Sequence, residues 1–196
     1  TKGIILIHGY YPENWKTKGF EWTKPINVLS KAKLPMWFFR HDWNQCPSNI
    51  TIDIKAELKN LIIRDSKLES LIIIGHSLGG LIVTLLAEQW YSDFPLEVHS
   101  IASGLAKSNF DRAYAECANP KKDKYTISAY VNYKQWKTIK NQDGIFKYLK
   151  NDPQMVKIIN GESELLPEKW KGVRVGHNYS IVNVSDFILL NLLEQE

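Results

Sequence analysis

The sequence lacks the marks of several large classes of protein. None of its apolar runs approaches the roughly 18 residues of a membrane-spanning helix, and it contains no repeat of fixed period and no low-complexity tract. Apolar residues make up 44% of the 196 residues and charged residues 23%, which is ordinary for a globular protein. We therefore expect a single domain over residues 1–196, without a transmembrane segment.

Cysteine is also scarce. Cys46 and Cys117 stand far apart, without the C-x-x-C spacing or the neighbouring ligands of a zinc site, so no metal is expected. A disulfide between them would require an oxidising compartment. Because the chain begins at Thr1, we leave open whether the protein is cytoplasmic or is exported after loss of a signal segment.

Charge and aromatic content bear on the choice of partner. The net charge is +4 and the lysines are spread along the chain, so the charge balance predicts no nucleic-acid partner. Aromatic residues reach 12%, with 7 Trp, 9 Tyr and 7 Phe. Such side chains line pockets for apolar ligands, although a well-packed core accounts for most of them.

Short apolar runs alternate with longer amphipathic segments along the chain. The pattern predicts strands at 3–8, 35–40, 71–74, 97–102, 125–131 and 173–175, and helices at 51–64, 78–90 and 184–193. Alternation of this kind indicates βαβ units and a mostly parallel sheet. Ligands bind such sheets at the carboxyl ends of the strands, so the residues that follow each strand are the candidates for a site.

The clearest candidate is the segment 75–80, with the sequence GHSLGG. It lies between a predicted strand and a predicted helix, which is the context that a G-x-S-x-G nucleophile motif requires. In such a turn the serine takes a strained backbone conformation at a helix N-terminus, where free N–H groups favour negative charge. Ser77 is the predicted nucleophile, whereas His76 inside the motif is expected to be structural.

Acyl transfer also needs hydrogen-bond donors for the oxyanion. The backbone N–H of Leu78, the residue after the nucleophile, is one expected donor. The other is expected from the loop after the first strand, where Gly9 permits a close approach and the amide of Tyr10 is the favoured donor. Tyr11 is a weaker candidate, because the proline that follows biases it to an extended conformation.

Five histidines compete for the role of general base. His177 lies on a late loop before the terminal helix, which fits the chain order Ser, Asp, His, and it is the predicted base. His8 is expected to bond to loop backbone, and His99 lies within a strand. His41 stands at a strand end in an Arg-His-Asp-Trp cluster.

The acid that orients the base must lie between Ser77 and His177 in the chain and must follow a strand. Asp143 is the predicted acid, because Gly144 behind it would allow the tight turn that presents a carboxylate. The alternatives are Asp111 in a polar insertion, Asp123 in a lysine-rich loop and Asp152 before a proline.

Together these motifs resemble those of the α/β-hydrolase superfamily, especially its small lipases and esterases. The resemblance spans residues 3–195 and rests on IILIHG at 4–9, GHSLGG at 75–80, the Asp143 turn and Gly176-His177. It implies a three-layer α/β/α sandwich, a minimal α/β-hydrolase fold with a mostly parallel sheet of about six strands. It also implies hydrolysis of carboxylic esters through an acyl-enzyme intermediate, without a cofactor.

The resemblance defines the reaction class better than the substrate. The segment 102–111 (ASGLAKSNFD) lacks the proline-histidine-glycine signature of many lipases. The substrate is therefore left open between a small-molecule ester and a lipid. A thioesterase or amidase with the same triad and a non-catalytic binding module of the same fold remain as alternative hypotheses. The oligomeric state is left open.

The strand order that the family resemblance implies bears on the two cysteines. The strands that precede Cys46 and Cys117 are three places apart, which separates them by about 14 Å. A disulfide needs Cα atoms within roughly 7 Å. The loops that follow the strands are long enough to meet, so whether the two cysteines form a disulfide is left open.

Several loops are candidates to contact a substrate. Five aromatic residues after the first strand can either wall a pocket or cover the sheet edge: Tyr10, Tyr11, Trp15, Phe20 and Trp22. Of these, Tyr11 and Trp15 are the predicted substrate contacts. The segment 105–124 can form a small lid. The segment 132–140, with one tryptophan and three lysines, is expected to be a solvated loop, with peripheral lipid contact as the alternative.

Overall fold

The computed structural model describes residues 1–13, 18–107 and 116–194. The strands in these ranges are β1 (Lys2–Ile7), β2 (Met36–Phe39), β3 (Ser70–His76), β4 (Leu96–Ile101), β5 (Lys124–Thr126), β6 (Val131–Lys137), β7 (Lys157–Ile159), β8 (Glu162–Leu165), β9 (Lys169–Trp170) and β10 (Val173–Arg174). The helices are α1 (Thr23–Leu29), α2 (Pro47–Arg64), α3 (Leu78–Glu88) and α4 (Tyr179–Leu193).

The main sheet has six strands in the order β2-β1-β3-β4-β6-β8. Every neighbouring pair in it is parallel, which confirms the predicted parallel sheet of about six strands. β3, which leads to Ser77, lies near the centre between β1 and β4. The carboxyl ends of all six strands therefore meet at one edge of the sheet, as expected for a site in this class of fold.

Alternating side chains of the strands build two apolar cores, one on each face of the sheet. On β1, Ile5 and Ile7 pack with α2 and α3, whereas Ile4 and Leu6 pack with α1 and α4. Neighbouring β3 divides its isoleucines in the same way. Both strands read as continuous apolar runs because parallel strands of this kind are buried on both faces. The three-layer arrangement predicted from the sequence is confirmed.

The strand prediction at 125–131 was wrong in its placement. Residues Lys124–Thr126 form the short β5, which pairs with β7 outside the main sheet, and the main-sheet strand is β6. β6 was obscured because Gln135 is polar yet buried, where its amide donates to the carbonyl of Gln154. The segment 132–140 is therefore neither a solvated loop nor a lipid contact, and Trp136 is only 3% exposed.

The C-terminal elements also differ from expectation. The edge strand β8 was not predicted, because its side chains are exposed and mostly polar. The strand predicted at 173–175 is β10, which pairs only with β9 in a separate hairpin. The final helix begins at Tyr179 rather than 184, because buried polar residues such as Ser180 and Asn183 interrupt its apolar pattern. No helix in the described ranges is long and apolar enough to cross a membrane.

A disulfide joins Cys46 and Cys117, whose Cα atoms lie 5.6 Å apart. Cys46 directly precedes α2, and Cys117 lies in the long connection after β4. The bond thus spans three strand positions of the sheet on the side of the strand carboxyl ends. Of the segment 105–124, expected to form a lid, residues 108–115 lie outside the described residues.

Removal of this disulfide is expected to lower the free energy of unfolding by about 4 kcal/mol, because the bond closes a long loop in the unfolded chain. The measurement is urea unfolding of the Cys46→Ser, Cys117→Ser double variant against the wild type without reductant. Reductant serves as the control, since it should bring the wild type to the level of the variant and leave the variant unchanged. Equal stability of the oxidised wild type and the variant would contradict the bond.

Candidate active site

Ser77 sits in a strained turn between β3 and α3. Its backbone has φ 56° and ψ −118°, a region that side-chain-bearing residues rarely occupy. Neighbouring strands hold it there. The N–H of Ser77 donates to the carbonyl of Ile101 at 2.9 Å, and the hydroxyl of Ser103 donates to the carbonyl of Ser77 at 2.8 Å. This is the strained turn that the G-x-S-x-G motif predicts.

The backbones around this turn approach too closely for side chains. A Cβ on Gly79 would lie 2.3 Å from the carbonyl oxygen of Ile7, and a Cβ on Gly75 would lie 2.3 Å from the carbonyl oxygen of Gly79. β1, β3 and the start of α3 are therefore in direct backbone contact. Neither position can therefore carry a side chain unless this backbone shifts.

The loop after β1 lies against the side chain of Ser77. A Cβ on Gly9 would lie 2.9 Å from the Cβ of Ser77, so only glycine fits. The ring of His8 donates from Nδ1 to the carbonyl of Gly9 at 2.8 Å. Because the peptide that follows is planar and trans, the N–H of Tyr10 points away from that carbonyl. His8 thus orients the amide that the sequence selects as an oxyanion donor.

His41, which sequence reasoning left without a role, supports His8. Its backbone N–H donates to Nε2 of His8 at 3.2 Å, and its own Nε2 donates to the carbonyl of His8 at 2.9 Å. The two rings stack with centroids 4.0 Å apart. Burial, together with the neighbouring His41, lowers the pKa of His8 to about 4. The position of His41 at a strand end was its only sequence signal.

His177 and Asp143 form a buried pair. Nδ1 of His177 lies 3.0 Å from Oδ2 of Asp143, and the two residues are 9% and 0% exposed. An ionised carboxylate can only accept hydrogen bonds, so Nδ1 carries the hydrogen and Nε2 is left as an acceptor. Of the alternative acids, Asp152 instead accepts bonds from Gln154, and Asp111 lies outside the described residues.

Three further donors hold the carboxylate of Asp143. Thr138 Oγ1 donates to Oδ2 at 2.6 Å, and the N–H groups of Ile145 and Phe146 donate to Oδ1 at 2.9 and 3.0 Å. Burial alone would raise the pKa of Asp143, but the bonds and charge of His177 and the other donors outweigh it and lower the pKa. Gly144 is not needed for this turn, since it has no positive φ and a Cβ on it would meet nothing.

Two residues that were not selected as site residues position this pair. Gln154, fully buried, accepts from the N–H of Thr138 at 2.9 Å and donates to its carbonyl at 3.0 Å. His76 donates from Nε2 to the carbonyl of His177 at 2.9 Å. Burial and the nearby His177 lower the pKa of His76 to about 3. His76 is structural, as expected, but nothing in the sequence linked His76 to His177 or Gln154 to Thr138.

A pocket of about 230 Å³ opens at the carboxyl edge of the sheet. Its walls include Tyr10, Tyr11, Ser77, Leu78, Phe146 and His177. The hydroxyl of Tyr11 donates to Glu21, another wall residue. Phe20 and Trp22 line a different cavity, and Trp15 lies outside the described residues. The pocket therefore brings together the predicted nucleophile, base, oxyanion residues and one of the two predicted substrate contacts.

Neither a comparison with protein-family models nor one with curated protein sequences finds a match. Among solved structures, Est1E from Butyrivibrio proteoclasticus is 13% identical with a TM-score of 0.61, over 99% of this chain and 88% of that one. Alpha/beta hydrolase domain-containing protein 10 from mouse is 12% identical with a TM-score of 0.63, over 98% and 90%. The Pyrococcus furiosus esterase Pf2001 is 13% identical with a TM-score of 0.57, over 99% and 82%.

The chain has the α/β-hydrolase fold. Within this fold, the candidate residues lie on separate loops. Gly9 follows β1, Ser77 follows β3, Asp143 follows β6, and His177 precedes α4. The α/β-hydrolase fold predicted from the motifs is thus confirmed, and its loops converge on one pocket.

The buried neutral histidines make stability fall in acid. The unfolded chain binds protons at His8 and His76 below about pH 6.5, whereas the folded pKa values are about 4 and about 3. The stabilisation is therefore complete above pH 6.5 and is lost as the pH falls towards these values. The two rings contribute up to about 3 kcal/mol per pH unit.

Urea unfolding between pH 8 and about pH 4.5 measures this slope. The His76→Gln variant keeps an amide donor for the carbonyl of His177 but has no ring to protonate. Its free energy of unfolding should fall less steeply as the pH decreases, because about one proton fewer is taken up on unfolding. A slope identical to that of the wild type would contradict the assignment.

Proposed function

We propose that the protein is a serine hydrolase that cleaves carboxylic esters through an acyl-enzyme intermediate. The observation that carries the proposal is the buried hydrogen bond between His177 and Asp143 in the pocket that Ser77 also lines. Gly9 packs against the side chain of Ser77 and brings the loop of Tyr10 beside it. A nucleophile, an oriented base and backbone donors are the parts that acyl transfer requires.

In the proposed acylation step, Ser77 Oγ attacks the acyl carbon and its proton passes to Nε2 of His177. The negative charge that develops on the substrate oxygen is stabilised by the amides of Tyr10 and Leu78. Leu78 is the first residue of α3, and helix-initial N–H groups have no partner within the helix. Asp143 orients His177 and stabilises its imidazolium without taking the proton.

The acyl-enzyme then forms as the ester bond breaks and His177 returns the proton to the leaving alcohol. In deacylation, His177 takes a proton from water, the resulting hydroxide attacks the acyl carbon, and the acid leaves as Ser77 Oγ regains its proton. Every proton is accounted for by His177 and the substrates. No cofactor takes part in this scheme.

The proposed partner is a small-molecule ester. A cavity of roughly 150 Å³ is enough to hold benzene, so the pocket of about 230 Å³ is suited to a short acyl group. Similar solved structures include the Pyrococcus furiosus esterase Pf2001, and another of them, Est1E, has been solved with ferulic acid bound. A hydrolase of small esters is the function that this site supports best.

The test is hydrolysis of p-nitrophenyl butyrate. Ser77→Ala is expected to lower kcat by about 10,000-fold or more, because it removes the nucleophile. Asp143→Asn is expected to lower kcat by about 1,000- to 10,000-fold, since it removes the charge that orients His177. Its remaining Oδ1 can still accept from Ile145 and Phe146, so the turn is retained.

Ser30→Ala is the matched control, because Ser30 is an exposed serine that bonds only to nearby backbone in the described chain. It should leave kcat unchanged. Absence of hydrolysis by the wild type, or hydrolysis that survives Ser77→Ala, would contradict the proposed function. Equal thermal stability of all the variants would show that the losses are chemical.

A further inference from the structure

The positive charge of the chain is concentrated in one segment. Residues 121–157 contain nine lysines against three acidic residues, a surplus of six, whereas the whole chain has a surplus of only four. One of the three acidic residues is the fully buried Asp143. Some of these lysines have acidic partners elsewhere, since Lys122 pairs with Glu88 and Lys134 pairs with Glu162 and Glu164. Lys147 and Lys150 lie instead on the connection between β6 and β7 that also carries Asp143.

The part of this segment next to the pocket is the rim loop, defined as residues 144–150. Its base is firmly held, since Asp143 accepts from the N–H groups of Ile145 and Phe146. The N–H of Lys147 also donates to the carbonyl of Asp143 at 3.1 Å. Ile145 and Phe146 line the pocket. The start of the rim loop is therefore a fixed part of the pocket wall, whereas residues 147–150 lie outside the pocket lining.

The outer side of the rim loop is apolar and basic at once. Tyr148 is 79% exposed, Ile145 53% and Leu149 46%. The ammonium of Lys147 lies 4.7 Å from the ring centre of Tyr148, and Lys150 is exposed. The loop contains no acidic residue. Large apolar side chains grouped outside a core usually mark a contact with another surface.

We propose that the rim loop binds the surface of an anionic lipid bilayer and so holds the pocket at that surface, where it takes ester-bearing amphiphiles. This proposal rests on the proposed function and specifies where its substrate is found. Apolar side chains that enter the headgroup region and lysines that contact anionic headgroups act together in such binding. The charge of the loop is complementary to such a surface.

The side chains favour lipid over nucleic acid. Phosphate contacts use lysine, and bases stack on aromatic rings, but Ile145 and Leu149 have no ring to stack. Aliphatic groups at the tip of a basic loop gain free energy only in an apolar environment. A bilayer supplies that environment and the anionic headgroups together.

The chain provides a matched control elsewhere on its surface. Tyr91 is 77% exposed, and the ammonium of Lys55 lies 6.0 Å from its ring centre. This pair repeats the tyrosine and lysine of the rim loop. It does not line the pocket, and acidic Asp93 follows it in the chain. If exposure of a lysine and a tyrosine were enough for lipid binding, the Lys55 and Tyr91 pair would contribute as much as the Lys147 and Tyr148 pair.

The experiment is co-sedimentation of the full chain, as Ser77→Ala to prevent turnover, with lipid vesicles. One set is pure phosphatidylcholine, and the other contains about 30 mol% phosphatidylglycerol. We expect binding to the anionic vesicles, which weakens as the salt concentration rises. Two double variants, Lys147→Gln with Lys150→Gln and Tyr148→Ser with Leu149→Ser, should each weaken it by about 10-fold or more. The Lys55→Gln, Tyr91→Ser variant should bind as the parent does.

Four results would overturn the proposal. These are equal binding to both vesicle types, no binding to either type, weakening by the control variant equal to that by the rim-loop variants, and displacement of the protein from vesicles by single-stranded DNA. Hydrolysis of soluble p-nitrophenyl butyrate, measured in the same variants with Ser77 restored, should stay within about two-fold of the wild type. If the chain with Ser77 hydrolyses the soluble ester but the Ser77→Ala chain binds no vesicles, this inference alone is rejected, whereas absence of hydrolysis rejects the proposed function.

Discussion

The site depends on one strained residue. Ser77 holds a positive φ that costs on the order of 1–3 kcal/mol, and it persists because the surrounding backbone leaves no alternative. β4 bonds to its N–H, the loop of Gly9 lies against its side chain, and Gly79 packs on the carbonyl of Ile7. The sheet therefore places Ser77 at the pocket, with the loop of Gly9 beside it.

Around this turn the site consists of buried polar groups that satisfy one another. His41 bonds to His8, His76 bonds to the carbonyl of His177, and Thr138 bonds to Asp143. Each bond offsets the cost of taking a polar group out of water. The histidines stay neutral because burial disfavours their charged forms. The same buried histidines therefore position the residues of the pocket and make the stability of the fold fall in acid.

Local sequence signals predicted the parts of this molecule that are determined locally. The turn around Ser77 needs glycines at set positions, and the apolar runs of β1 and β3 mark central parallel strands, so both were predicted. Asp143 and His177 were selected from chain order, and their side chains meet in the structure. β8 was missed because edge strands carry polar side chains, and β6 was misplaced because Gln135 is a buried polar residue.

The supporting residues were missed for a different reason. Gln154 and His41 act through contacts between distant parts of the chain, and no spacing in the sequence records such contacts. Gly144 was given a role because a glycine after an acid suggests a turn, yet the carboxylate of Asp143 itself builds that turn.

The most direct test of the account is covalent labelling with a fluorophosphonate probe, followed by peptide mapping. Such probes react only with an activated serine. If Ser77 is the activated nucleophile, the probe adds one label per chain, on Ser77, and labels slowly when Asp143 is replaced by Asn. Absence of label, a label on another residue, or labelling unchanged in Ser77→Ala would contradict it.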